Sequence, residues 1–270
     1  MGLGSYEDDG FAVLRGFLEP AVVAPILDAV GRDALVVLDA EGRRQHVNTW
    51  TWCGDDLIGR MPRAEPIVEV AEAVVAGPVH HWHSKISWKD PGSDGTWDWH
   101  QDYAFWIEEG VARPAMATIG IALDHHTAAN GCLRVVPRSH RAGVIDHPAV
   151  GNGRAAEPEI LERLVHEHGV VEVELEPGDA IVFHCSLLHG SGPNRGDETR
   201  TFLHCSYNAV DNPASDPFID GHQVHRLDRV PAAAIQPGSY ERVWGDTAFI
   251  QPEATGYGGR SGYQVLAADG

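Results

Sequence analysis

The chain of 270 residues is long enough for one large domain or two small ones, and its 43% of apolar residues can bury a sizeable core. The formal net charge of −19, from 20 basic and 39 acidic residues, repels nucleic acids and anionic membranes and argues against both as partners. No apolar stretch approaches the roughly 20 residues of a membrane span, and residues 1–14 lack the pattern of a signal peptide. We therefore expect a cytoplasmic protein whose four cysteines are free thiols.

The first third of the chain is predicted to be partly helical. Residues 5–18 are typical of a short strand flanked by turns, and a helix is expected to follow over residues 20–33, with proline at a tolerated first-turn position. Residues 34–60 are rich in Trp, Gly and Asp and predict irregular structure. Residues 64–76 have helical periodicity, and a Gly-Pro pair at 77–78 ends that helix.

From residue 79 onward the pattern changes to short strands separated by turns. Strands and their connecting turns are predicted within residues 79–89, 97–106, 115–123, 131–137, 170–190 and 199–210. An amphipathic stretch at 157–168 predicts a short inserted helix, and residues 140–156 predict a loop.

These elements predict a mainly β-sandwich or barrel with helical buttresses. No linker or internal repeat divides the chain, so residues 1–270 are expected to form a single domain. Its core spans about residues 79–210, the N-terminal helices about 19–77, and a loop-rich C-terminal tail about 211–270.

The sharpest local feature is the triplet His100-Gln101-Asp102. On a strand, residues i and i+2 project to the same face, so this imidazole and this carboxylate are predicted to point together, with Gln101 directed away as support for the site. Two histidines and one carboxylate on one face of a metal are the ligands of non-haem iron(II) oxygenases. His189 is the candidate for the third ligand.

Two polar residues beyond His189 suit a co-substrate with a free carboxylate. Arg200 begins the predicted strand 199–210, and the planar guanidinium of arginine binds a carboxylate through two parallel hydrogen bonds. Ser191 offers a hydroxyl to the same group. An oxygenase that consumes 2-oxoglutarate needs such a cation, although a surface arginine paired with Asp197 or Glu198 would give the same pattern.

Three ordered segments carry a family resemblance. HQDYAFW, LDHHTAANGCLRVVPRSH and EPGDAIVFHCSLLHGSGPNRGDETR are similar to the phytanoyl-CoA dioxygenase family, over roughly residues 79–210 and more loosely in the N-terminal helices. The resemblance implies a double-stranded β-helix of the jelly-roll, cupin-like type, with flanking N-terminal and inserted α-helices. It also implies an enzyme that uses Fe(II), 2-oxoglutarate and O2.

The resemblance assigns roles to individual residues. Fe(II) would be bound by His100, Asp102 and His189, and 2-oxoglutarate would be anchored by Arg200 with help from Ser191. Ser87 occupies the place of a polar side chain that related enzymes use for the keto-acid end of the co-substrate. Related halogenases lack the carboxylate ligand, so the presence of aspartate at 102 disfavours halogenation.

Five further side chains are candidates for substrate contacts. The only two lysines of the chain are expected on the same strand face as His83 and Ser87, and three aromatic residues directly follow the predicted metal strand. The candidates are Lys85, Lys89, Tyr103, Phe105 and Trp106. Packing in a tryptophan-rich core is an equally good interpretation of the aromatic residues.

The predicted activity is hydroxylation of an unactivated C–H bond of a small metabolite, with release of succinate and CO2. Desaturation, cyclisation, epoxidation or epimerisation would use the same iron site, and a non-catalytic cupin-like binding protein is a third interpretation. A zinc site built from the His184-Cys185 and His204-Cys205 pairs does not fit, because adjacent residues of a strand point to opposite faces. Oligomeric state and substrate identity are not encoded in any of these patterns.

Overall fold

The architecture is two facing antiparallel β-sheets, with one helix packed on the outer face of the larger sheet and another against the smaller one. The computed structural model describes residues 2–31, 34–212, 214, 227–249 and 264–266. The helices are α1 (Tyr6–Asp9), α2 (Pro20–Val23), α3 (Leu57–Arg60), α4 (Glu65–Val75), α5 (Asp102–Trp106) and α6 (Pro158–His168). The strands are β1 (Phe11–Leu14), β2 (Leu35–Leu38), β3 (Arg44–Trp50), β4 (Val79–Lys89), β5 (Trp97–His100), β6 (Met116–Ala122), β7 (Leu133–Val135), β8 (Ala149–Val150), β9 (Gly153–Arg154), β10 (Val171–Val173), β11 (Ala180–His184), β12 (His189–Ser191), β13 (Arg200–Ala209) and β14 (Gln264–Leu266).

The larger sheet has eight strands in the order β1-β11-β6-β13-β4-β3-β2-β14. Its centre is the long pair β13–β4, whose register places Arg200 opposite Lys89, Phe202 opposite Ser87 and His204 opposite Lys85. Because side chains directly opposite each other lie on the same face of a sheet, these three pairs form one continuous row of mainly polar groups facing the smaller sheet.

The smaller sheet has four strands in the order β10-β7-β12-β5. His189 on β12 lies directly opposite His100 on β5, and the register shifts between His189 and Ser191, where Ser191 pairs with Trp97. The two predicted histidine ligands therefore lie side by side on neighbouring strands, facing the row of polar groups on the larger sheet.

Apolar side chains fill the space on both sides of the larger sheet. Helix α4 packs on its outer face through Ile67, Val68 and Ala71, which are fully buried. Burial of each large aliphatic side chain stabilises the fold by about 1.5–3 kcal/mol. Between the sheets, Phe183 and Phe202 belong to a second apolar cluster that lines the floor of the interior.

The prediction of irregular structure for residues 34–60 is wrong, because this segment holds β2, β3 and α3. Strand β3 pairs with both β2 and β4, so it lies inside the larger sheet. Its polar side chains concealed it from a search for apolar alternation: Gln45, Asn48 and Thr49 are all buried. The helix expected over residues 20–33 is also shorter, since α2 passes into a 3-10 helix at Ala24–Ala29.

Other boundaries agree with the sequence pattern. Helices α4 and α6 lie where periodicity places them, and β4 and β13 span the predicted strands 79–89 and 199–210 almost completely. About half of the predicted tail at 211–270 falls outside the described residues, and β14 within it pairs with β2. All four cysteines are free thiols, as predicted. Within the described ranges, every helix is too short or too polar to cross a lipid bilayer.

Candidate metal centre

Three potential ligand atoms converge at the end of β5. Across the described part of the chain, His100, Asp102 and His189 form the one group of three or more His, Cys, Asp or Glu residues whose ligand atoms lie within 4.8 Å of one another. Asp102 Oδ1 lies 3.6 Å from His100 Nε2 and 3.8 Å from His189 Nε2. These separations are longer than hydrogen bonds and leave room for an ion between the three atoms.

The backbone fixes both imidazoles in the orientation that a metal requires. His100 Nδ1 lies 2.7 Å from the carbonyl oxygen of Asp98, and His189 Nδ1 lies 2.9 Å from that of Leu187. A carbonyl oxygen only accepts, so each Nδ1 carries the proton and donates it. In the neutral ring, Nε2 then offers a lone pair toward Asp102, which is the tautomer of a metal-binding histidine.

The electrostatics also favour the ligand forms of these side chains. Burial and the neighbouring His100 lower the pKa of His189 to about 3, so its imidazole is neutral throughout the physiological range. Burial alone would raise the pKa of Asp102, but His189, His100 and Lys85 outweigh it and hold that pKa well below its usual value. Neither side chain has to lose a proton before a cation binds.

The sequence spacing predicts that Asp102 lies on a strand, but it does not. Strand β5 ends at His100, Gln101 is extended (φ −110°, ψ 128°), and Asp102 is the first residue of α5. The expected convergence of His100 and Asp102 therefore comes from a strand-to-helix turn. The two side chains converge as the sequence predicts, but through a different local geometry.

Gln101 holds that turn in place through four hydrogen bonds. Its backbone N–H donates to His147 Nε2 (2.9 Å), and its side-chain amide donates to the carbonyl oxygens of Gly143 (2.9 Å) and Ser186 (2.7 Å). Its side-chain oxygen accepts the N–H of Ile145 at 2.8 Å. Gln101 is fully buried, so it fastens two distant loops to the segment that carries two ligands.

Replacing Gln101 by alanine is expected to weaken both the fold and iron binding. The change leaves two carbonyl oxygens and one N–H without their partners, which should lower the free energy of unfolding by about 2 kcal/mol or more. Loss of an outer support of a metal ligand typically costs about 10–100-fold in metal affinity. Thermal unfolding of the iron-free protein and anaerobic Fe(II) titration measure the two effects. Gln236→Ala, at an exposed position, is the control and should change neither.

A pocket lies beside the two histidines, between the two sheets. Its polar lining is supplied by Lys85, Ser87, His100, His189, Ser191, Arg200 and His204. Of the residues proposed from sequence for the co-substrate, Arg200, Ser191 and Ser87 all line this one pocket.

Arg200 is buried and directed by a backbone carbonyl. Its Nε and Nη2 donate to the carbonyl oxygen of Gly131 at 3.1 and 2.9 Å, and Nη2 lies 3.3 Å from Ser191 Oγ. Gly131 has φ +77°, a left-handed conformation that glycine adopts without strain. Nη1 donates to none of the described residues. Burial lowers the pKa of Arg200 to about 10, so the group stays charged at neutral pH and is suited to a carboxylate.

The two lysines have different surroundings. Lys85 lines the pocket, its Nζ lies 5.1 Å from the centre of the Trp97 ring, and burial lowers its pKa although Asp102 opposes the shift. Lys89 is buried and does not line the pocket, because its ammonium donates to Ser191 Oγ and to the carbonyl oxygens of Gly95 and Gly192. A direct substrate contact is thus supported for Lys85 rather than for Lys89.

The three aromatic candidates are buried and lie outside the lining of this pocket. Tyr103 and Trp106 belong to an apolar cluster with Trp82, and the Tyr103 hydroxyl donates to the carbonyl oxygen of Val111. Phe105 lies against the ring of His100, with 6.1 Å between the centroids. Their roles in substrate binding stay predictions, and the described contacts show them packed around α5.

Sequence reasoning overlooked His204 as a component of the pocket. It was weighed only as part of a zinc site, yet it lies four residues after Arg200 on β13 and therefore on the same face of that strand. That spacing was the available signal. Burial holds the pKa of His204 well below its usual value, so it lines the pocket as a neutral imidazole.

The fold and the site together define a class: a jelly-roll of two antiparallel sheets that carries a two-histidine, one-carboxylate centre beside a cation-lined pocket. The sequence matches the model of the family "Phytanoyl-CoA dioxygenase (PhyH)" over residues 6–202. The chain belongs to the phytanoyl-CoA dioxygenase family, which confirms the family and the fold class predicted from the sequence.

Named relatives are enzymes of the same kind. The chain is 33% identical to an L-proline trans-4-hydroxylase of Streptomyces griseoviridis over 197 residues, which cover 67% of this chain and 73% of the relative. It is 27% identical to an ectoine dioxygenase of Sphingopyxis alaskensis over 236 residues, with 79% and 77% covered. The prediction of a dioxygenase is thereby confirmed.

Solved structures agree with this assignment. The crystal structure of EctD from S. alaskensis with bound Fe has a TM-score of 0.69 and 25% identity, and covers 84% of this chain and 85% of that chain. A second structure of EctD, with 2-oxoglutarate and 5-hydroxyectoine, has a TM-score of 0.68 and 23% identity and covers 84% and 86%. The predicted cofactors, Fe(II), 2-oxoglutarate and O2, are those of this enzyme class, and the donor set of His100, Asp102 and His189 fits the metal.

Proposed function

We propose that this enzyme hydroxylates an unactivated C–H bond of a small free metabolite, an amino acid or an amino acid derivative, and releases succinate and CO2. The observation that carries the proposal is the convergence of His100, Asp102 and His189 beside a pocket that also contains Arg200. The names of the relatives support an amino acid as the substrate class, since one of them is an L-proline hydroxylase.

In this proposal the chain's residues hold and orient the reactants. His100, Asp102 and His189 bind Fe(II) through two Nε2 atoms and a carboxylate oxygen. Arg200 and Ser191 bind the distal carboxylate of 2-oxoglutarate. Ser87 lines the same pocket one cross-strand pair along the row from Arg200 and would contact the keto-acid end. The bound iron, once supplied with O2 and the keto acid, provides the oxidising power for attack on a C–H bond.

Apolar rings packed against the histidines restrict water and shape the reaction space. Phe183 packs on the His189 ring at 4.9 Å, and Phe202 packs on His204 at 4.4 Å. Apolar rings on this side of the ligands limit solvent access to the metal, which protects a reactive site from wasteful turnover. Lys85 supplies a cation close to Asp102 and is our candidate for holding an anionic group of the substrate.

A bulky acyl-CoA substrate is disfavoured by charge. The chain carries a net charge of −19, which repels the phosphate groups of CoA. Desaturation, cyclisation, epoxidation and epimerisation would proceed from the same site, so the chemical nature of the product separates them from hydroxylation.

The test is a product assay with Fe(II), 2-oxoglutarate and O2 over a panel of free L-amino acids, ectoine and acyl-CoA thioesters. We expect turnover of one amino acid or one amino acid derivative. Succinate from 2-oxoglutarate and a substrate product heavier by one oxygen atom should form in a one-to-one ratio. A product lighter by two hydrogen atoms, or one of unchanged mass, would replace hydroxylation by desaturation or epimerisation. Turnover of the thioesters alone would contradict the proposed substrate class.

A further inference from the structure

Two buried cations lie directly opposite each other at one end of the pocket. Arg200 on β13 is the cross-strand partner of Lys89 on β4, and both side chains are almost completely buried, with exposed fractions of 2% and 1%. Like charges directly opposite each other on neighbouring strands destabilise a sheet. Neither residue is among the ion pairs that the described part of the chain forms with carboxylates.

The two cations share one hydroxyl group. Lys89 Nζ lies 2.9 Å from Ser191 Oγ, and Arg200 Nη2 lies 3.3 Å from the same oxygen. Lys89 Nζ also contacts the carbonyl oxygen of Gly95 at 3.1 Å and that of Gly192. Ser191 lines the pocket and Lys89 does not, so the serine stands between the lysine and the ligand space.

The direction of the Ser191 hydroxyl depends on the charge of Lys89, because that charge sets how many N–H donors the lysine has. A charged ammonium has three N–H donors and no acceptor, so it donates to both carbonyl oxygens and to Ser191 Oγ. The serine proton is then left to point into the pocket. A neutral amine has only two N–H donors, which the two carbonyl oxygens occupy, and its lone pair accepts the serine proton instead.

We propose that Lys89 is a positioning residue for 2-oxoglutarate: it turns the Ser191 hydroxyl toward the distal carboxylate and takes up a proton from solvent when that carboxylate binds. The inference rests on the proposed placement of 2-oxoglutarate against Arg200 and Ser191. It gives the buried lysine a role through the serine rather than by direct contact with the substrate.

The charges around Lys89 favour the neutral amine until an anion arrives. Burial is the main cause that lowers its pKa to about 6, and Arg200 on β13, Arg134 on β7 and Arg43 beside β3 act in the same direction. Asp39, at the end of β2, opposes them and is already engaged with Arg43. A carboxylate bound at Arg200 adds a negative charge at close range and raises the pKa of Lys89 again.

The affinity for 2-oxoglutarate is expected to fall as the pH rises. Because the complex prefers the charged lysine, 2-oxoglutarate binds most tightly below the pKa of the free lysine, about 6, and its affinity falls as the pH rises above that value. Between the pKa of the free enzyme and that of the complex, each binding event takes up close to one proton.

Anaerobic calorimetry of the Fe(II)-loaded enzyme with 2-oxoglutarate measures this uptake. Titrations at about pH 8 in buffers of different ionisation enthalpy give the number of protons from the slope of heat against that enthalpy. We expect close to one proton for the wild type. In Lys89→Met the uptake should vanish and the affinity should fall about 10-fold or more, the usual effect of losing a hydrogen bond to a charged group. Lys89→Arg, which stays charged, should bind 2-oxoglutarate without proton uptake.

Arg195→Met is the control, since Arg195 is an exposed basic residue outside the pocket lining. It should keep the proton uptake of the wild type. Uptake that persists in Lys89→Met, or that is absent in the wild type while 2-oxoglutarate still binds through Arg200, would overturn the inference and leave the proposed function intact. Equal 2-oxoglutarate affinity in wild type and Arg200→Ala would instead overturn the proposed site, and the inference with it.

Discussion

Replacing Asp102 by alanine is expected to lower the affinity for Fe(II) by about 100-fold or more and to abolish succinate formation. The substitution removes one of three ligands, and even supporting groups outside the ligand set cost about 10–100-fold when they are lost. It also removes the negative charge that offsets the dication. Asp102→Asn keeps the size of the side chain and loses the charge, so it should show nearly the same loss of affinity.

Anaerobic Fe(II) titration, followed by the weak visible absorption that appears when the keto acid chelates iron, measures the effect. Asp94→Asn is the control: Asp94 is exposed and pairs with Arg195 at the surface, where an ion pair contributes little. The ionised carboxylate of Asp102 also stabilises the iron-free fold, because its pKa is held low, so Asp102→Ala should unfold at a lower temperature than Asp94→Asn. Titrations made well below that temperature separate metal binding from folding. Wild-type iron affinity in Asp102→Ala would show that the metal is held elsewhere.

The convergence of His100 and Asp102 could be predicted from the sequence because it depends on short spacing and on residue chemistry. His100 and Asp102 are separated by one residue, and extended backbone directs such a pair to the same side. The strand assumption failed because Asp102 begins a helix of five residues, DYAFW, whose aromatic composition is equally typical of a strand. The side chains of His100 and Asp102 still converge, because the extended Gln101 between them directs both to one point.

The larger sheet contains one strand that the alternation of side chains predicts and one that it does not. Strand β4 alternates visibly, so the common face of Lys85, Ser87 and Lys89 was predicted and agrees with its register against β13. Strand β3 carries buried Asn48 and Thr49, and polar residues at buried positions give no periodic apolar signal. A strand with polar side chains at buried positions is therefore harder to predict than one that buries apolar side chains.

The supports of the site depend on contacts between distant segments. Gln101 bonds to Gly143, Ile145 and Ser186, and no local pattern relates these positions in the sequence. The same holds for Lys89, whose ammonium meets carbonyl oxygens near residues 95 and 192. Sequence spacing predicted which residues face the interior, whereas the hydrogen-bond partners that tune them required the three-dimensional structure.

Replacing Arg200 by alanine is expected to weaken 2-oxoglutarate binding by about 30-fold or more while Fe(II) still binds. The guanidinium is buried, charged at neutral pH and fixed by two hydrogen bonds to the Gly131 carbonyl oxygen. Removing one partner of such a charge pair costs about 2–5 kcal/mol, because the other charge is left unpaired in a poorly solvated site. Anaerobic titration of the Fe(II)-loaded variant with 2-oxoglutarate gives the dissociation constant directly.

Two further variants separate charge from geometry. Arg200→Lys keeps a positive charge but loses the planar fork, so its affinity for 2-oxoglutarate should lie between those of wild type and Arg200→Ala. Arg195→Ala, at an exposed surface position, removes an arginine of the same loop region and should leave the affinity unchanged. If Arg200→Ala binds Fe(II) and 2-oxoglutarate as the wild type does, the carboxylate anchor is another residue. Lys85, the other cation in the pocket lining, would then be the first residue to replace, because no third lysine or arginine is among the side chains described around that pocket.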